Sequence, residues 1–125
     1  GYYLAKNEGA PEDFAQAFNR HDLDGVMSRM TDDCVFLTAA GPEPEGVRFE
    51  GQDAVRAAFA KFIADMPDVQ WNDPVHTIEE DRAMTEWRFT CTMPDGTRKD
   101  VEGLDVFRLR DGKIHVKSTF RKASG

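Results

Sequence analysis

At 125 residues with a formal net charge of −7, the chain has the length of one domain, and residues 1–125 are read as a single unit around one core. A pI near 4.9 repels phosphate backbones, which argues against nucleic acid as the main partner. No stretch approaches the roughly 18 apolar residues of a membrane span, so no membrane partner is expected.

Pro11 followed by Glu12 and Asp13 marks a helix start, since proline suits the first turn and acids complement the helix dipole. Phe14, Ala17 and Phe18 line one face of that helix. Asp22 is placed to cap a second, short helix in which Leu23, Val26, Met27 and Met30 recur with helical spacing. Cys34 to Thr38 reads as a strand, and Ala39 to Glu50, with Gly41, Pro42, Pro44 and Gly46, as a loop long enough to serve as a lid or mouth. Val55, Ala58, Phe59, Phe62, Ile63 and Met66 give the clearest helical stripe, stopped by Pro67. Four strands follow: Val69 to Glu80, Met84 to Met93, Arg98 to Arg110 and Lys113 to Arg121, joined by Asp81-Arg82, Pro94-Asp95-Gly96 and Asp111-Gly112 turns. Pro74 predicts a bulge or bend in the first of them. Helices first and a meander afterwards predict an α+β fold with helices on one face of an antiparallel sheet.

Cys34 and Cys91 lie far apart among apolar residues and read as free core thiols of a reducing compartment; with no signal pattern at the N-terminus, the expected location is the cytoplasm. The three histidines, His21, His76 and His115, have no metal-ligand spacing, and no cofactor or nucleotide motif is present, so neither metal nor cofactor is expected. Arg108 to Gly125 carries six basic residues and one acid, net +5, leaving −12 on the first 107 residues. This charge either protects a terminal strand from edge pairing or attracts an anionic ligand.

In the third of the late strands Val101, Gly103, Asp105, Phe107 and Leu109 alternate with Glu102, Leu104, Val106 and Arg108, and the first set is the more apolar. It should face the interior, which puts the Asp105 carboxyl among hydrophobes. Such an acid must be neutral, paired or hydrogen-bonded, and groups of this kind cluster at functional sites. By the same alternation Trp87, Phe89 and Cys91 line the pocket or the core.

Asn19-Arg20-His21-Asp22-Leu23-Asp24-Gly25, Thr31-Asp32-Asp33, Gly51-Gln52-Asp53-Ala54-Val55-Arg56, Asp105-Val106-Phe107-Arg108 and Asp111-Gly112-Lys113-Ile114 together resemble the ketosteroid isomerase and SnoaL-like group of the nuclear transport factor 2-like superfamily. The resemblance implies a cone-shaped α+β barrel: three N-terminal helices on a curved antiparallel or mixed sheet, with a ligand cavity in its open end. In ketosteroid isomerases a carboxylate base follows the first strand, a tyrosine of the first helix and a protonated aspartate of a late strand donate to the substrate oxygen, and a further tyrosine stands on the long helix. Carried over, these positions fall on Thr38, Phe14, Asp105 and Phe59, so Asp105 alone keeps its chemistry. A threonine hydroxyl cannot take a proton from carbon at neutral pH without a base of its own.

Which residues join Asp105 depends on the Arg110-Asp111-Gly112-Lys113 turn. A two-residue turn pairs Arg110 with Lys113 and places Val116, Ser118 and Phe120 beside Asp105, as hydrophobic matching favours. A three-residue loop with a glycine bulge places His115, Lys117 and Thr119 there instead, as the polar groups of SnoaL-like cyclases favour, and leaves Ile114, Val116 and Phe120 outside. On the second register Asp105 and Lys117 are the candidate catalytic pair, and Phe14, Thr38, Phe59, Trp87, Phe89, Phe107, His115 and Thr119 the candidate ligand-binding residues. Two functions stand: acid-base chemistry on a small apolar carbonyl compound, of isomerase, cyclase or lyase type, or a non-catalytic ligand carrier. Leu104 and Val106 point away from the helices under either register, which predicts a homodimer through the outer sheet face.

Overall fold

Pro11 stands in the first turn of α1 (Ala10–Asn19), with Glu12 and Asp13 beside it. The computed structural model describes residues 7–123. Asp22 caps α2 (Leu23–Ser28), its carboxylate accepting from the Gly25 amide. His21, between these helices, has a positive φ of 57° and its Nε2 lies 2.7 Å from the Val69 carbonyl. α3 (Gln52–Asp65) buries Val55 and Phe59, and Met66 continues that face.

The strands are β1 (Met30–Leu37), β2 (Arg48–Glu50), β3 (Gln70–Glu79), β4 (Arg82–Thr92), β5 (Arg98–Arg110) and β6 (Lys113–Arg121). They form one six-stranded sheet in the order β2-β1-β6-β5-β4-β3. All neighbours are antiparallel except β1 and β6, so the sheet is mixed. Because it ends on β2 and β3 it does not close into a barrel, and α1, α2 and α3 pack on its inner face. The expected Ala39 to Glu50 loop is shorter than the sequence suggests, since Arg48–Glu50 pairs with β1 as an edge strand.

Pro74 does interrupt β3. The pairing with β4 shifts between Asn72 and Val75, and Asp73 takes a φ of 54°. Inside the sheet, Phe18 touches Phe14, Phe59 and Trp71 edge-on, with ring centroids 5.3, 4.8 and 4.9 Å away. Aromatic pairs of this kind add about 0.5–1.5 kcal/mol beyond their burial, so Phe18 ties α1 to α3 and β3 at one point. Cys34 and Cys91 are buried and unpaired, and burial pushes both thiols up from their ordinary pKa.

Candidate active site

The inward alternation of β5 holds: Asp105, Phe107 and Leu109 are buried, while Glu102, Val106 and Arg108 are exposed. On β4 the cross-strand partners of Asp105 and Gly103 are Thr85 and Trp87. A Cβ at Gly103 would come within 2.6 Å of the Trp87 ring and 2.4 Å of the Phe120 carbonyl. The absence of a side chain there lets the indole lie across the strand, where its Nε1 donates to Asp105 Oδ2 at 3.0 Å. Gly103→Ala should therefore destabilise the fold by about 1–3 kcal/mol in urea unfolding. An unchanged midpoint would mean that the indole has room to spare.

The β5-β6 turn departs from the expected bulged loop. Arg110 pairs with Lys113, and Asp111 and Gly112 both have positive φ, 53° and 79°, as a two-residue type I′ turn requires. The register then shifts, so that Leu109 faces Ile114 but Arg108 faces Val116, Phe107 faces Lys117 and Asp105 faces Thr119. The bulge sits at His115, inside the strand. It resets the alternation, so Ile114 is fully buried rather than outside, while Lys117 and Thr119 still join Asp105.

Thr119 Oγ1 donates to Asp105 Oδ1 at 2.6 Å and accepts from Lys117 Nζ at 2.7 Å, while Nζ lies 3.0 Å from the same carboxylate oxygen. Both charged side chains are buried, with 7% of Lys117 and 9% of Asp105 exposed. The ammonium also sits 4.7 Å from the centroid of Phe36, 5.5 Å from that of Phe18 and 5.7 Å from that of Phe59. Burial pushes the Lys117 pKa below its ordinary value, against the opposing pull of Asp105.

One space borders this cluster, and another lies against the Phe36 ring that packs on Lys117. The first is a cavity of about 20 Å³ between α1 and the sheet, lined by Phe14, Phe18, Trp71, Thr85, Trp87, Asp105, Phe107 and Lys117. That is room for about one water. The other is an open groove of about 290 Å³ between α3, β1, β2 and the end of β6, walled by Phe36, Phe49, Phe62, Met66 and Arg121.

The structure brings together Asp105, Lys117, Thr119, Phe14, Trp87 and Phe107. Phe59 packs behind Lys117 and Phe89 beneath Arg121, and neither lines the cavity. Thr38 is outside it too: its hydroxyl donates to the Ala40 carbonyl and accepts from the Val47 amide, bracing the loop beside the groove. His115 leaves the site altogether, its Nδ1 3.1 Å from Thr31 Oγ1 and 3.5 Å from Asp33. Thr85 was legible, since it shares the alternation of Trp87 and Phe89. Its hydroxyl meets His76 Nδ1 at 2.8 Å, and the Glu12 carboxylate lies 3.0 Å from Nε2, outside hydrogen-bond geometry. Phe18 shows in the sequence only as part of the first helix's apolar stripe and Arg121 only as one of the basic C-terminal residues, while Trp71 and Phe36 carry no signal beyond apolar character.

Residues 12–116 match the family model for the SnoaL-like domain. The chain belongs to the SnoaL-like domain family. No curated protein matches it. Among solved structures it resembles a nuclear transport factor 2-like protein of unknown function from Mesorhizobium loti, with 26% identity, a TM-score of 0.77, and 96% of this chain and 93% of that one covered. A candidate polyketide cyclase from Xanthomonas campestris pv. campestris superposes with a TM-score of 0.84 at 20% identity, covering 96% of this chain and 93% of that one. TerC, co-crystallised with polyporic acid, gives 0.78 at 19% identity, covering 94% and 92%. These likenesses place the SnoaL-like domain in the nuclear transport factor 2-like superfamily and account for its open cone.

Proposed function

We propose that this SnoaL-like domain performs acid-base chemistry of the cyclase, isomerase or lyase type on a small carbonyl compound, with Asp105 moving the proton and Lys117 holding the charge that develops. The observation that carries the reading is the buried Asp105, aimed at the cavity and held by Trp87, Thr119 and Lys117. A carboxylate fixed by three donors on a low-dielectric wall is oriented before any substrate arrives. It can take a proton from a carbon α to a carbonyl, leaving an enolate whose oxygen the Lys117 ammonium stabilises. The reading requires the Phe14 ring, which lines the cavity, to move aside for any molecule larger than water. The similarity to a candidate polyketide cyclase agrees with this class of substrate.

The test is deuterium exchange at the α-carbon of acetylacetone in D₂O, followed by proton NMR. Exchange above background in the wild type, lost in Asp105→Asn, supports the reading; equal rates with both proteins refute it. The second reading is a carrier, and one fact favours it: Asp105, Thr119 and Lys117 satisfy one another without a ligand. A carrier would bind a carbonyl compound with no exchange.

We also propose that two copies pair through the outer face of the sheet, where Val75, Val106 and Phe120 are 57%, 40% and 55% exposed. Sedimentation should give twice the 14.1 kDa chain mass, and Phe120→Asp should shift the population to monomer. A single species at the chain mass at micromolar concentration would end this proposal.

A further inference from the structure

Nine of the ten arginines are exposed; Arg121, the last residue of β6, is not. The shifted register puts it on the inner face, following Lys117 and Thr119. Its guanidinium centre lies 4.8 Å from the ring centroid of Phe89 and 5.8 Å from that of Phe62, so aromatic faces cover one side of it. Among the described residues no carboxylate stands within 4.0 Å of it. Asp65, which borders the same groove, is engaged by Lys61 at 2.9 Å, and Asp105 by Lys117 at 3.0 Å. Burial works against the Arg121 charge, and the pull of Asp105 offsets it only from a distance.

A half-buried guanidinium without a counter-ion, at one end of an apolar groove, calls for an anion. The rest of the groove defines the anion's body. Phe36 and Phe49 stack at 6.1 Å with 18° between their planes, making a flat wall, and Phe62 and Met66 face into the same space. At about 290 Å³ it suits one or two fused rings. A carboxylate matches the guanidinium fork with two parallel hydrogen bonds.

We propose that this groove binds a planar, apolar carboxylate, its acid group clasped by Arg121 and its ring laid against Phe36, Phe49 and Phe62. This deepens the functional reading above by naming the ligand's class, and it rests on that reading only in supposing that groove and cluster serve one molecule.

The test compares 2-naphthoate with its neutral counterpart 2-naphthamide by isothermal titration calorimetry on the whole chain. Wild type should bind the carboxylate at least about tenfold more tightly. Arg121→Gln should erase the preference, and Lys61→Gln should keep it, since that ammonium already has Asp65. Should Arg121→Gln fail to fold, the wild type alone decides through the Arg121 Nε–Hε resonance in nitrogen-15 NMR, which should move when naphthoate is added. Equal affinity for the two probes, no binding at millimolar concentration, a preference that survives Arg121→Gln, or an unmoved Arg121 resonance would each overturn the proposal. Binding is read without turnover, so naphthoate that binds through Arg121 in a protein showing no deuterium exchange supports the groove while sinking the proton-transfer reading.

Discussion

Lys117→Met should lower the unfolding free energy by about 3–5 kcal/mol in urea titrations, because it strands Asp105 in an apolar site. Methionine fits the space, which is bounded by the rings of Phe18, Phe36 and Phe59, so lost packing contributes little. What disappears is the ammonium 3.0 Å from the carboxylate, together with the donor to Thr119. Adding Asp105→Asn should recover most of the loss, since a neutral amide needs no counter-ion and can still accept from Trp87 or Thr119. A loss below about 1 kcal/mol in the single variant, the range of exposed pairs, would show that the two charges do not depend on each other.

The same variant carries a pH signature. The folded chain holds the Lys117 proton less tightly than the unfolded chain, whose lysine keeps the ordinary value of 10.5. Between the lowered value and 10.5 the unfolded state therefore binds more protons, and wild-type stability rises with pH on this account. Lys117→Met lacks the contribution, so its deficit should widen between neutral pH and 10.5. A deficit that narrows would mean that Asp105 outweighs burial.

Isomerisation of a 3-keto-5-ene steroid should stay at the background rate. Thr38, which the resemblance sets where ketosteroid isomerases carry their carboxylate base, spends its hydroxyl on the Ala40 carbonyl and the Val47 amide, and Phe14 offers no hydroxyl to a substrate oxygen. Losing a general base alone commonly costs about 10²- to 10⁴-fold. The cavity beside Asp105, about 20 Å³, adds a steric barrier to a four-ring molecule. Robust turnover in a direct absorbance assay would show that another residue serves as the base, and His76, joined to the cavity through Thr85, would be the first to examine.

Much of this molecule follows from local chemistry. Turn residues and alternation fix β5 and β6 to their end residues, because Pro94-Asp95-Gly96 and Asp111-Gly112 each force a reversal whatever surrounds them. The same holds for the break at Pro74, the Asp22 cap and the inward face of β5 that buries Asp105. The edge strand Arg48–Glu50 leaves no mark in the sequence, because its three residues hold too little pattern and pair only once β1 is in place.

The polar cluster itself was legible only by resemblance. Alternation from a two-residue turn puts Val116, Ser118 and Phe120 beside Asp105, and no residue in Lys113-Ile114-His115-Val116-Lys117 announces the bulge that reverses this. Tertiary contacts decide it. Ile114 is fully buried and its amide donates to the Arg29 carbonyl at 2.8 Å, while Lys117, three residues on, must also turn inward to meet Asp105. An even and an odd position can share one face of a strand only if a residue is looped out between them, and His115 is that residue. The sequence by itself therefore determined the elements and the buried acid, because turn chemistry and hydrophobic period act over a few residues. Only the packed sheet determined which cation meets that acid and set Arg121 at the end of an apolar groove, because both depend on register between strands.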